Sequence, residues 1–385
     1  MDDRIWPHTR VTGLLGITYP LIQARMAGGA TTPALVAAVS NAGGLGTLGA
    51  AYLSPDALRE AMRATRRLTD RSFAVNLFVP TPFAVDPRQI ARMAARLAPY
   101  RDAVGLPTPT SPVPDRYAES FDDQVAAVLD ERAPVFSFTF GIPAPDVLRR
   151  FKERGVPTCG TATTVREART LAAAGVDLIV AQGSEAGGHR GAFLGPVDDA
   201  LIGTMALVPQ VVDAVPVPVV AAGGIMDGRG VAAALALGAE GAQLGTAFLA
   251  CPESAAPPAH KEALRRATDE DTRLTRAISG RAARGIANRL GMELAAPDDA
   301  IPPFPIQHTL THDIRQAAAA QGRAEFLALW AGQAAALAHP TPAGTLVADI
   351  AAATAALLTQ RHASRRGRWG CVTAVCHRVT HAPIL

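Results

Sequence analysis

One histidine of this sequence stands among glycines, in the run Gln182-Gly-Ser-Glu-Ala-Gly-Gly-His-Arg-Gly191. Such a run can fold tightly over a bound molecule and still project one imidazole and one carboxylate. An ordinary imidazole titrates near neutrality, so His189 suits proton transfer or polar binding at physiological pH. Glu185 either shares that chemistry, orients a neighbour or caps a turn. A second signal is Ala222-Gly223-Gly224-Ile225 ahead of a helix, followed by Gln243-Leu244-Gly245-Thr246. Paired glycines before a helix expose backbone N–H groups and admit close approach, and the helix end adds partial positive charge. Together they make a phosphate cradle, to which Thr246 can lend its hydroxyl. The only lysines are Lys152 and Lys261, both far from these motifs, which argues against a nucleoside triphosphate loop with its lysine. Gly43–Gly46 precedes a strand instead of following one, and is weak evidence for a dinucleotide loop.

These residues need a scaffold, and its pattern is legible. Apolar β-rich runs at 21–26, 43–49, 73–78, 134–140, 156–162, 177–183, 218–224 and 241–249 alternate with Ala-rich amphipathic segments. Strands so uniformly apolar suit burial on both faces beneath crossover helices. Eight units predict an α/β fold, a (β/α)8 or TIM barrel, with a doubly wound open sheet as the alternative. Function in such barrels gathers at the C-terminal ends of the strands. Here those positions are Met26, Asn76, Gln182, Gly223, Gly224, Gly245 and Thr246. The Pro-rich insertion at about 80–116 and the helical stretch 254–358 do not fit the alternation. The barrel is therefore assigned to 15–253, with the insertion and a smaller helical cap domain covering one end. Residues 361–385 carry five arginines and no acid, and read as a disordered tail.

Composition excludes several classes. With 49% apolar and 18% charged residues, a large core forms and global disorder is ruled out. No run of about 18 apolar residues is present to span a membrane, and the acidic N-terminus lacks a secretion signal, so a cytoplasmic protein is expected. Outside the tail no basic face suggests nucleic acid. Cys159 and Cys251 read as buried small residues. His308 and His312 read as surface histidines, and Cys371, Cys376 and His377 do not make a metal site.

The motifs also form a recognisable series. Pro20-Leu-Ile-Gln-Ala-Arg-Met-Ala-Gly-Gly29, Ala38–Gly46, Val75–Val79, Phe136–Pro143, Gly160–Thr164, Glu185–Gly191, Ala221–Ile225, Gln243–Leu249, Ser279–Gly285 and Trp330–Gln333 resemble, in order, the nitronate monooxygenases. The likeness covers about residues 15–358. It implies a capped barrel with noncovalent FMN held by Met26, Asn76, Gln182, Gly187, Gly224, Gln243, Leu244, Gly245 and Thr246, with His189 as the catalytic residue. A single phosphate site also suits FMN better than FAD. The implied reaction oxidises small-molecule nitronates with O2 to carbonyl compounds and nitrite. His189 would act as base toward a neutral nitroalkane or as a positioning group toward a nitronate. Arg25 stands where the family usually has Pro, and either attracts an anionic substrate or loosens the flavin site. The rival readings are an FMN-dependent NAD(P)H:quinone or enoyl-thioester reductase and a flavin-binding protein without turnover.

Gly224→Asp is expected to abolish FMN binding. Its carboxylate would oppose the phosphate at about 4 Å, a repulsion of several kcal/mol at intermediate dielectric. A yellow, active variant would show the phosphate to be elsewhere.

Overall fold

In the computed structural model, which describes residues 6–107, 109, 116–295 and 300–369, the eight apolar runs form parallel strands. They are β1 (Leu21–Gln23), β2 (Gly46–Gly49), β3 (Phe73–Phe78), β4 (Val135–Thr139), β5 (Thr158–Ala162), β6 (Leu178–Gln182), β7 (Val219–Ala222) and β8 (Gly241–Leu244). Their ladder runs β1-β8-β7-β6-β5-β4-β3-β2, and a parallel bridge between Ile22 and Leu45 joins the two ends. Leu45 N donates to Leu21 O at 2.8 Å, and Gln23 N to Leu45 O at 2.9 Å. The sheet thus closes as a (β/α)8 barrel, and the open-sheet alternative falls.

Period-two alternation sorts the strand residues into two environments. Leu48, Phe73, Val75, Phe136, Phe138, Ile179 and Leu244 face outward into the main core beneath the helices. Ile22, Leu45, Ala74, Val135, Cys159, Leu178, Val180 and Val220 fill the barrel interior, where Val11 and Leu15 of the helix Arg10–Leu15 join them. One step further along the strands the interior turns polar, with Asn76, Ser137, Thr139, Thr161 and Gln182 all buried. The apolar layer closes the barrel, and the polar layer is the floor of its mouth. Ser, Thr and Asp residues cap the wall helices as the sequence predicts, among them Thr32, Ser54, Thr164 and Asp227.

The two irregular stretches pack together. Met93, Leu97 and Tyr100 of the helix Pro87–Ala103 share a separate core with Leu290, Ile314, Phe326 and Leu329. An antiparallel hairpin, Thr272–Thr275 with Ala283–Ile286, reaches down and pairs with Gly188–His189. The helix Ala343–Trp369 returns to the barrel wall, burying Val347, Ile350 and Ala351 in the main core. It continues past residue 361, where the sequence suggested that the tail begins. Residues 370–385, with Cys371, Cys376 and His377, lie outside the described residues. Among the described residues, no helix is long and apolar enough to cross a membrane.

Gly46 serves packing, since a Cβ there would lie 2.2 Å from Val36 O of the adjoining helix. Gly46→Ala should destabilise the fold by about 2–3 kcal/mol, as overpacking does. Gly13, inside Arg10–Leu15 with nothing within 4 Å of its virtual Cβ, should instead gain about 0.5–1 kcal/mol on change to Ala. Urea unfolding of the two variants measures both, and equal midpoints would contradict the close approach at Gly46.

Candidate active site

The glycine-rich loop after β6 is held by its own polar side chains. Gln182 Nε2 donates to His189 O at 3.1 Å, while its Oε1 accepts Gly191 N at 2.8 Å. Arg190 is 1% exposed and donates to the carbonyls of Gly183, Gln182 and Ala200. Arg284 Nε reaches Ser184 O at 3.0 Å. The carboxylate of Glu185 accepts Thr204 N at 2.9 Å and Thr204 Oγ1 at 2.8 Å, which caps the helix Thr204–Ala214. The open reading of Glu185 therefore resolves as a cap. Gln182, expected at the flavin, spends both ends of its amide on the loop.

His189 points into a box of aromatic rings. Phe304, Phe140, Phe78 and Trp330 surround it at ring-centroid distances of 5.7, 5.8, 6.3 and 5.5 Å. Phe140 follows β4 at φ +76°, a left-handed conformation costly for a bulky residue and characteristic of functional sites. The Arg281 guanidinium lies over the Phe140 ring, 3.8 Å from its centroid. His189 Nε2 is 2.9 Å from Ser279 Oγ, and that hydroxyl donates to Arg281 O at 3.1 Å. With the serine proton so engaged, the network assigns the proton of His189 to Nε2 and leaves Nδ1 unprotonated. Burial first, then the charges of Arg281 and Arg315, lower the His189 pKa to about 3. The ring is neutral at pH 7.

His308 corrects the surface expectation. Its ring stacks on Tyr52 at 4.3 Å and 10° and lies 6.0 Å from Phe304. Arg315 Nη2 donates to His308 O at 2.9 Å and lies 3.3 Å from its Nδ1. His312 remains exposed. Among the described residues no cluster could hold a metal. Tyr52 Oη is buried without a partner, and burial raises its pKa. The sequence reading missed Tyr52, Phe78, Phe140, Ser279, Arg281, Phe304, His308, Arg315 and Trp330 as a group. Phe78, Phe140, Ser279, Arg281 and Trp330 sat inside quoted motifs; His308 was read as a surface histidine from its spacing to His312, and Tyr52, Phe304 and Arg315 carried no local signal.

The expected cofactor residues divide. Asn76 is fully buried beneath the mouth; Nδ2 donates to Ser137 Oγ at 2.9 Å, and Oδ1 has no partner. Gly223 and Gly224 adopt φ +118° and +70°, and a Cβ on Gly223 would meet Thr204 Oγ1 at 2.8 Å. These turns admit only glycine without strain. The following helix, Gly228–Ala236, gives its first N–H groups to Asp227, which accepts Arg229 N at 2.9 Å and Gly230 N at 3.3 Å. That helix end is already neutralised, contrary to expectation, so an anion here must rely on the peptides at 223–224 and 245–246. Thr246 Oγ1 accepts Gly332 N at 2.9 Å and keeps its own proton to donate. Gln243 lies at the mouth, where its Oε1 is 3.4 Å from the Arg25 guanidinium. Met26 N donates to Thr31 Oγ1 at 3.1 Å in the turn after β1. Gly187 abuts the 331–332 backbone, where a Cβ would come within 2.5 Å. Leu244 turns its side chain, 1% exposed, into the outer core, and its carbonyl accepts Ala24 N. An orphaned amide oxygen, a glycine cradle and a free hydroxyl at one barrel mouth fit a flavin phosphate and ring.

Cys159 and Cys251 are buried, and burial raises each thiol pKa to about 12, which leaves them unreactive.

The nitronate monooxygenase family model matches residues 8–353. A probable nitronate monooxygenase of Staphylococcus saprophyticus is 48% identical over 344 residues, 89% of this chain and 96% of that protein. One from Staphylococcus aureus is 47% identical over 347 residues, 90% and 97% of the two chains. Among solved structures, nitroalkane oxidase from Streptomyces ansochromogenes superposes with a TM-score of 0.84 at 43% identity, covering 91% of this chain and 99% of that one. FabK from Thermotoga maritima gives 0.73 at 32% identity, covering 93% and 99%.

Neutral histidines, one buried and two half-buried, make stability depend on pH. His189 and His260 have pKa values lowered by burial to about 3 and about 4, and His308 is lowered well below its ordinary 6.5. Below about pH 6.5 the unfolded chain takes up protons that the folded chain refuses, so stability is full above that pH and falls toward pH 4. Urea midpoints at about pH 7.5 and pH 5 should differ accordingly. Equal midpoints would show that these rings are not held neutral.

Proposed function

The chain belongs to the nitronate monooxygenase family of flavin-dependent oxidoreductases, and on that premise we propose that it holds FMN at the barrel mouth and oxidises alkyl nitronates with O2. Two nitronates and one O2 give two carbonyl compounds and two nitrites. Asn76 and Gln243 would hold the ring, with Met26 and Gly187 as backbone neighbours. Gly223, Gly224, Gly245 and Thr246 would hold the phosphate. FMN supplies the electron-accepting ring and the route of electrons to O2.

The observation that carries this reading is the charge pattern around His189. Two guanidiniums, Arg281 and Arg315, act on a neutral imidazole and also on the unpartnered Tyr52 hydroxyl, and no carboxylate is among the groups that shift His189. Such a site favours an anion with two oxygens, and the rings of Phe78, Phe140, Phe304 and Trp330 suit its alkyl part. An imidazole with a pKa of about 3 is poorly matched to taking a proton from a neutral nitroalkane. We therefore assign His189 to positioning: Nε2 is anchored on Ser279, and the ring holds the nitronate against the flavin's place while the aromatic box excludes water.

Purified protein should be yellow and bleach anaerobically with a nitronate; bleaching with NADPH in its place would favour a nicotinamide-dependent reductase. His189→Asn, which keeps a hydrogen-bonding group of similar reach, should lower kcat/KM for nitronates by no more than about a hundredfold, the worth of one hydrogen bond to a charged group. The ratio of nitroalkane to nitronate activity should not change. A loss of about 10²–10⁴ confined to neutral nitroalkanes would restore the base role.

A further inference from the structure

Arg25 lies just beyond β1, yet its side chain turns inward across the mouth of the barrel. One end of the guanidinium donates to Thr161 Oγ1 on β5, and Nη1 is 3.4 Å from Gln243 Oε1 on β8. In the closed ladder β5 lies opposite β1, four strands away in either direction, so the cation spans the floor of the mouth. Both acceptors are neutral. No ion pair of Arg25 is formed among the described residues, and the nearest titratable group is the buried Cys159 thiol. Burial lowers the Arg25 pKa to about 10 and raises that of Cys159 to about 12. At pH 7 a cation therefore stands over a neutral thiol, in a polar layer with no balancing charge.

A desolvated charge without a counter-ion is costly to the fold. Thr161 and Gln243 require only a donor, which a neutral side chain could supply. The missing negative charge must come from what the mouth binds, and the residues around Arg25 are those assigned to the flavin. An oxidised flavin ring is neutral. A ring reduced by two electrons and one proton would carry one net negative charge. We propose that Arg25 is the counter-ion of the reduced flavin and so sets how readily this protein's flavin accepts electrons. This rests on the FMN reading above. Arg25 acts through charge, not proton transfer, because it remains protonated throughout.

Sulfite provides a test independent of turnover, since its addition to the oxidised ring leaves a negative charge there. The FMN-loaded protein is compared with Arg25→Met and Arg25→Lys by sulfite titration and by midpoint potential against a reference dye. Arg25→Met should weaken sulfite binding by about tenfold or more, as expected on losing a unit charge a few ångströms away. The potential should fall by about 30 mV per tenfold, the conversion for a two-electron couple. Arg25→Lys should retain most of both. The apo form of Arg25→Met should melt higher than wild type, because the uncompensated cation is gone. If circular dichroism shows that Arg25→Met does not fold, Arg25→Gln keeps a hydrogen-bond donor without the charge and replaces it. Unchanged sulfite affinity and potential in a folded, FMN-loaded neutral variant would overturn the proposal. A change confined to KM for nitronate would also overturn it, by placing Arg25 at the substrate. Wild-type protein that takes up no FMN would instead defeat the underlying cofactor reading.

Discussion

The chemistry of this chain depends on holding a glycine-rich loop still. Four glycines between Gln182 and Gly191 give the backbone freedom to turn sharply, and the same freedom would let His189 wander. The loop's carbonyls and amides are met from inside by Gln182, Arg190 and Arg284, and Glu185 fastens it to the helix Thr204–Ala214. Pairing of Gly188–His189 with the cap hairpin completes the hold from above. A buried guanidinium such as that of Arg190 suits this task because its rigid fork satisfies several carbonyls together. Barrel and cap therefore meet at the histidine, and loss of either support would move the imbalance of charge around it as well as the ring.

Unbalanced positive charge is the second theme. Arg25 below the mouth, and Arg281 and Arg315 above it, are half-buried and have neutral hydrogen-bond partners, with the carboxylates of Glu167 and Asp313 offsetting Arg281 and Arg315 only in part. Each is lowered in pKa by desolvation and each remains a cation at pH 7. Stability alone gives no reason for such an arrangement, since a buried unpaired charge weakens a fold. The proposed turnover would give one, because an anionic substrate would enter from one side and negative charge would develop on the flavin at the other. The neutrality of His189 follows first from desolvation and then from the same field, since an imidazolium between two guanidiniums would add a further repulsion.

How much of this could be read from the chain varies residue by residue. The eight strands were legible because each is a short apolar run bounded by capping or turn residues, and the turn at Gly223 and Gly224 because paired glycines mark positions of positive φ. His189 was legible because its neighbours are glycines. Its protonation was not, because that depends on Ser279, Arg281 and Arg315, about 90 to 126 residues further along the chain. His308 misled for a related reason: a His four residues from another looks like a surface or metal pair until Tyr52 is seen stacked against it. Asp227 misled too, since a helix start is an anion site only while its N–H groups are free.

The sequence by itself determined the barrel, the position of the glycine turns and the identity of the histidine, because periodicity, φ requirements and side-chain type are local properties. Only the tertiary structure decided that the helix Pro87–Ala103 shares one cap core with Leu290, Ile314 and Phe326, that Leu244 faces away from the mouth, that Glu185 is a cap and that Arg25 crosses the barrel floor. Each of these turns on which distant groups come within a few ångströms. Burial and electrostatic fields are sums over such neighbours, and one-dimensional spacing does not contain them.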